Sequence, residues 1–115
     1  MCINTAVDYR LAWYAPYPAQ IIDAIAAWAH LVENLDIPPS NIVVSGDSAG
    51  ANLAIALVRH LRDMKFDLPA GLVLHSPWTD MTFVSTYLRK SFSLILILLL
   101  VSSPTSLILH FKFKI

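Results

Sequence analysis

The residues with the clearest chemical meaning are Gly46-Asp47-Ser48-Ala49-Gly50. A β-branched run, Ile42-Val43-Val44, leads into them, and Ala51-Asn52-Leu53-Ala54-Ile55-Ala56-Leu57 continues as a helix. A strand, a sharp turn and a helix with serine at the apex hold a hydroxyl exposed at the strand's carboxyl end. Glycine on either side lets the chain crowd around that turn. The chemistry this predicts is nucleophilic. Ser48 attacks an acyl carbon, and the backbone N–H of Ala49, at the positive end of the helix, faces the oxyanion that develops.

A serine hydroxyl needs a base to become a nucleophile. The order serine, acid, histidine is met by Ser48, Asp80 and His110, although order is a weak constraint by itself. Asp80 follows the strand after the turn, and His110 sits beside Phe111 and Lys112 in an apolar tail. Asp47 reads as a stabiliser of the turn, His75 as a strand-end residue and His30 as a partly exposed helix residue. Cys2 is the single cysteine, so an internal disulfide is excluded. With no Cys/His cluster in view, neither a metal nor a cofactor is expected. Eight basic and eight acidic side chains cancel, which argues against a nucleic-acid partner and favours a small, apolar, uncharged substrate.

The elements that must position Ser48 follow from the pattern on either side. Ala6-Val7-Asp8-Tyr9-Arg10 predicts a short strand. Leu11 to Pro18 then holds Pro16 and Pro18, which favour an extended loop. Trp13, Tyr14 and Tyr17 in that loop read as packing anchors, with a substrate entrance as the alternative. Ile21, Ile25, Trp28, Val32 and Leu35 recur at helical spacing from Pro18 to Leu35, and Asp36 to Asn41 turns the chain toward the next strand. Leu53, Leu57 and Leu61 extend the apolar face of the second helix, and Gly71-Leu72-Val73-Leu74-His75 is the strand after it. Strand, helix, strand, helix, strand with short connections predicts an α/β fold with a mainly parallel sheet.

The hydrophobic fraction of 57% exceeds the value of about 45–50% usual for a soluble domain, and much of the excess lies after Lys90. The chain therefore divides into a core over residues 1–90 and an apolar tail over 91–115. Phe92 to Phe111 contains no Asp, Glu, Lys or Arg, and Ser102-Ser103-Pro104-Thr105-Ser106 interrupts it. Three readings stay open: a membrane-associating segment over 92–111, a buried strand or helix of the fold, and sequence foreign to the fold, read through an intron or a shifted frame. The amino terminus lacks a signal-peptide pattern, which leaves a cytoplasmic or a membrane-associated protein.

Several stretches together resemble one family. Tyr9-Arg10-Leu11-Ala12, Pro16-Tyr17-Pro18-Ala19, Gly46-Asp47-Ser48-Ala49-Gly50 with Asn52-Leu53, and Ser76-Pro77-Trp78-Thr79-Asp80 resemble the hormone-sensitive-lipase-like, arylacetamide-deacetylase-like branch of the α/β-hydrolases. The likeness covers roughly residues 6 to 85. It implies a partial α/β-hydrolase fold, a three-layer αβα sandwich of which the central strands are present. It also implies carboxylester hydrolysis with Ser48 as nucleophile and Ala49 as an oxyanion-hole donor. Trp13-Tyr14-Ala15 stands where the family usually has Pro-Glu-His, and Ala51 where it has a second glycine. The family's His-Gly-Gly-Gly motif belongs before Ala6, and its acid and histidine belong on later strands. An incomplete, weakly active or inactive member is therefore expected; the alternative is a non-catalytic α/β remnant or a membrane-tethered module whose tail is the functional part.

Overall fold

Residues Ile42 to Gly46 are all buried, five in succession, as befits a strand with neighbours on both edges. This is β2 (Ile42–Asp47), and in the computed structural model, which describes residues 3–78 and 107–111, it lies inside a four-stranded parallel sheet. The remaining strands are β1 (Ile3–Ala6), β3 (Gly71–His75) and β4 (Leu107–Phe111), in the spatial order β1-β4-β2-β3. Two helices separate the first three strands in the chain, α1 (Ala19–Ala29) and α2 (Ala49–Asp63).

The order explains where the helices sit. The steps from β1 to β2 and from β2 to β3 run the same way across the sheet, so two right-handed crossovers carry α1 and α2 to the same face. That face presents Ile42, Val44, Leu74, Leu107, Leu109 and Phe111, which form one core with Ala24, Trp28 and Leu31 of the first helical segment and Ala51, Ala54, Leu57 and Leu61 of α2. Alternation along the strands gives the opposite face Val43, Ser45, Ile108 and His110. Both described helices cover one face of the sheet, and the described residues place no α-helix on the other.

Sequence and structure part at two places in this sheet-and-helix frame. The first strand is Ile3–Ala6, earlier than Ala6–Arg10, because Val7 donates its N–H to the His110 carbonyl at the end of the ladder and the chain then turns away. The predicted helix from Pro18 to Leu35 divides into α1 and a wider π-helical turn over His30–Asn34, in which the Leu35 N–H reaches the His30 carbonyl. The end of the apolar tail forms β4. Leu107 to Phe111 of the apolar tail fill the slot between β1 and β2, with Leu109 and Phe111 fully buried. Of the three readings of the tail, these five residues take the buried strand; residues 92–106 lie outside the described set. Among the described residues no helix is long and apolar enough to cross a membrane.

The segment after β1 is tied to α1 by one ion pair. Arg10 Nη2 donates to Asp23 Oδ1 at 2.8 Å, Nε to Oδ2 at 3.0 Å, and the Arg10 backbone N–H to Oδ2 at 2.9 Å. These bonds hold the Asp23 carboxyl below its ordinary range and raise the Arg10 guanidinium above its own. The Arg10 side chain is half exposed, so salt screens the pair.

Two outcomes follow from these contacts. Leu109→Ala should destabilise the fold by about 2–5 kcal/mol, read from the midpoint of urea unfolding, because a fully buried side chain leaves a cavity. Asp23 has a depressed folded pKa, so its stabilisation is present above the unfolded carboxyl pKa of about 3.9 and disappears as pH falls through the folded value. Asp23→Asn should remove that acid-side loss from a low-salt melting profile. Superimposable profiles for the two proteins would refute the assignment.

Candidate active site

Ser48 stands between β2 and α2 with φ 53° and ψ −114°, a combination that an L-residue avoids. Such a conformation costs about 1–3 kcal/mol and survives only where its surroundings impose it. Three backbone hydrogen bonds do so. The Ser48 N–H donates to the His75 carbonyl at 2.9 Å, and the Ser48 carbonyl accepts from Asn52 and from Trp78, each at 3.2 Å. The Asn52 side chain completes the clamp, Nδ2 donating to the Trp78 carbonyl at 2.7 Å. The end of β3 and the loop after it thus lock the serine's turn.

The two glycines are required for close approach, and neither has a positive φ. A Cβ on Gly46 would overlap the carbonyl of Gly50 and come within 2.6 Å of the Ala51 nitrogen. One on Gly50 would strike the Phe111 carbonyl. Gly50 therefore seats α2 directly on β4, and fully buried Ala51 and Ala54 let the helix settle against the sheet.

Ala49 is the first residue of α2, and no side chain caps this helix end. Backbone N–H groups in the first turn of a helix have no intrahelical acceptor, so they face whatever occupies the space before the helix. Basic residues His60 and Arg62 lie in the last turn, at the end that carries the negative partial charge.

The histidines are placed as follows. His110 Nδ1 lies 3.1 Å from the Ser45 hydroxyl, and the two residues are register partners on β4 and β2, three positions before Ser48. His75 is exposed at the end of β3 opposite Asp47. His30 is exposed on the helical turn after α1. Among the described residues no histidine hydrogen-bonds the Ser48 hydroxyl, and no group of His, Cys, Asp and Glu could hold a metal. Asp80 lies outside the described residues.

An apolar cavity of about 360 Å³ opens beside Ala49, between the loop that carries Tyr9 to Tyr17 and the α2 face at Asn52, Leu53 and Ala56. Trp78 closes one side. Tyr9 packs edge-on to Phe111 with ring centroids 6.3 Å apart. Its hydroxyl is buried without a hydrogen-bond partner, and burial raises its pKa, which keeps the phenol neutral. The loop aromatics are not the anchors expected of them: Trp13, Tyr14 and Tyr17 are 73%, 85% and 82% exposed. The loop is held instead by Tyr9, by the Arg10–Asp23 pair and by Gln20 Nε2 donating to the Ala15 carbonyl, which leaves the rings in solvent.

The sequence pattern placed Ser48 at the strand-to-helix turn and Ala49 at the start of the helix, as found, but carried no sign of the partners of the turn. The His75 carbonyl and the Trp78 N–H act through the backbone, which has no sequence signature. Asn52 carried a signal only as part of the resemblance.

A strained serine between a buried parallel strand and a glycine-seated helix has the strand-turn-helix geometry found in α/β-hydrolases. The chain belongs to the alpha/beta hydrolase fold family, whose model matches residues 1–96. It is 46% identical over 83 residues to an esterase from Acinetobacter venetianus, a match covering 72% of this chain and 27% of that protein. It is 45% identical over 76 residues to an acetyl-hydrolase from Streptomyces hygroscopicus, covering 66% of this chain and 25% of that protein. Among solved structures, an esterase of the bacterial hormone-sensitive lipase family superposes with a TM-score of 0.61 at 44% identity, over 64% of this chain and 25% of the other. The chain spans about a quarter of the length of these relatives.

Gly50→Ala should destabilise the protein by about 1–3 kcal/mol in urea unfolding, since the added methyl meets backbone that cannot swing away. An unchanged midpoint would show that α2 is not seated on β4 at this point.

Proposed function

We propose that this chain carries the nucleophile of a carboxylic ester hydrolase and that Ser48 is that nucleophile. The observation that carries the reading is the φ 53°, ψ −114° backbone of Ser48, which strand β2, helix α2 and three hydrogen bonds maintain. Strain of this kind concentrates where a side chain must be presented for reaction. Esterases and an acetyl-hydrolase among the relatives support the same chemistry.

In that reaction Ser48 Oγ attacks the ester carbonyl carbon and loses its proton to a base. The tetrahedral oxyanion lies against the Ala49 N–H, and the alkoxy group leaves as the alcohol with a proton. Water then cleaves the acyl-enzyme and regenerates the serine. General-base assistance is worth about 10² to 10⁴ in rate, and one oxyanion donor about 10² to 10³. Among the described residues His110 is hydrogen-bonded to Ser45 and not to Ser48.

A second reading, a non-catalytic α/β module, is favoured by the lack of a histidine on Ser48 among the described residues. The two separate on reactivity. A fluorophosphonate probe should label the folded protein at Ser48, and Ser48→Ala should lose at least about 100-fold of the labelling rate. Folded wild-type protein that takes up no label would establish the non-catalytic module.

A further inference from the structure

The cavity beside the Ser48 turn offers a ligand almost nothing polar. Leu53 and Ala56 of α2 form its floor, Tyr9 and Trp13 one wall and Trp78 another, with Ala49 at the end beside that turn. Two amide side chains also line it, and each has one N–H committed to a backbone carbonyl. Gln20 Nε2 donates to the Ala15 carbonyl and Asn52 Nδ2 to the Trp78 carbonyl, each over a short bond. No charged side chain lines the cavity, and residues 11 to 22 contain no Asp, Glu, Lys or Arg. A charged group entering here would lose its hydration with no opposite charge in exchange, whereas an apolar one leaves water for aromatic and aliphatic walls.

Size narrows the class further. An apolar cavity of about 150 Å³ accommodates one benzene molecule. The 360 Å³ here is more than twice that, enough for two fused rings or an aliphatic group of similar bulk. Since Ala49 borders both the cavity and the serine, a group lodged here can belong to a molecule whose reacting carbonyl is at Ser48.

We propose that this cavity is the subsite for the non-reacting part of the substrate and selects esters that carry an uncharged group of two-ring size. The assignment rests on Ser48 being the nucleophile, but the cavity can be tested without turnover. The three tryptophans serve as reporters: Trp13 and Trp78 line the cavity, while Trp28 is buried in the core at 5% exposure.

Naphthalene added to ¹⁵N-indole-labelled Ser48→Ala protein should shift the Trp13 and Trp78 signals saturably and leave Trp28 in place. Naphthalene-2-sulfonate, of similar shape but charged, should bind at least about tenfold more weakly. Ala56→Phe fills the floor and should weaken naphthalene at least about tenfold with Trp28 unmoved. Ala12→Phe, on the exposed loop wall, provides a second block should Ala56→Phe fail to fold. Saturable binding that both folded variants retain, equal binding of the sulfonate, or no saturable shift would each overturn the subsite. The serine is read separately with the fluorophosphonate probe on wild-type protein. Labelling without naphthalene binding removes the subsite and keeps the hydrolase reading; binding without labelling removes the hydrolase reading and with it the substrate assignment.

Discussion

Ser48 holds a backbone conformation that no isolated serine would keep, and the surrounding structure is arranged to impose it. Its N–H and carbonyl are pinned to the end of β3 and the loop beyond, through His75, Trp78 and the first turn of α2. Gly46 and Gly50 remove the two Cβ atoms that would prevent α2 from folding back over β2 and onto β4. Relaxing any one support gives the serine a route to an ordinary conformation. The local strain is therefore a property of three strands and a helix together rather than of the five-residue motif.

β4 is the member that makes this arrangement possible. Among the described residues it is the only strand paired with β1, and it is also the left-hand neighbour of β2. Through it, the loop that starts at Tyr9 is held against the same sheet as the Ser48 turn, so the cavity wall and Ser48 share one frame. Its alternation serves both faces: Leu107, Leu109 and Phe111 enter the core beneath the helices, and His110 meets the Ser45 hydroxyl on the other side. In a parallel sheet a strand in this position needs an apolar face toward the helices, which Leu107, Leu109 and Phe111 supply.

The loop from Leu11 to Pro18 shows how a charge pair and a few buried anchors suffice to hold an irregular segment. Arg10 grips Asp23, Gln20 takes the Ala15 carbonyl, and Tyr9 is buried against Phe111. With those contacts made, the ring systems of Trp13, Tyr14 and Tyr17 are left at the surface. Exposed aromatic surface beside an apolar cavity is the kind of patch that marks a binding region on a soluble domain.

Local chemistry was legible in the amino-acid sequence alone. The β-branched run before Gly46, the glycines around Ser48 and the small residues after it specify strand, turn and helix within about twenty residues, because each depends on near neighbours. The same holds for β3 and for the apolar face of α2. What only the tertiary structure decided are the pairings between distant residues: β4 between β1 and β2, His110 on Ser45, Asn52 on the Trp78 carbonyl, and Arg10 on Asp23. An apolar run such as 107–111 carries no information about which strands it will join. Its hydrogen-bonding groups are those of any backbone, and its place is set by which slot in the sheet lets Leu109 and Phe111 leave water together.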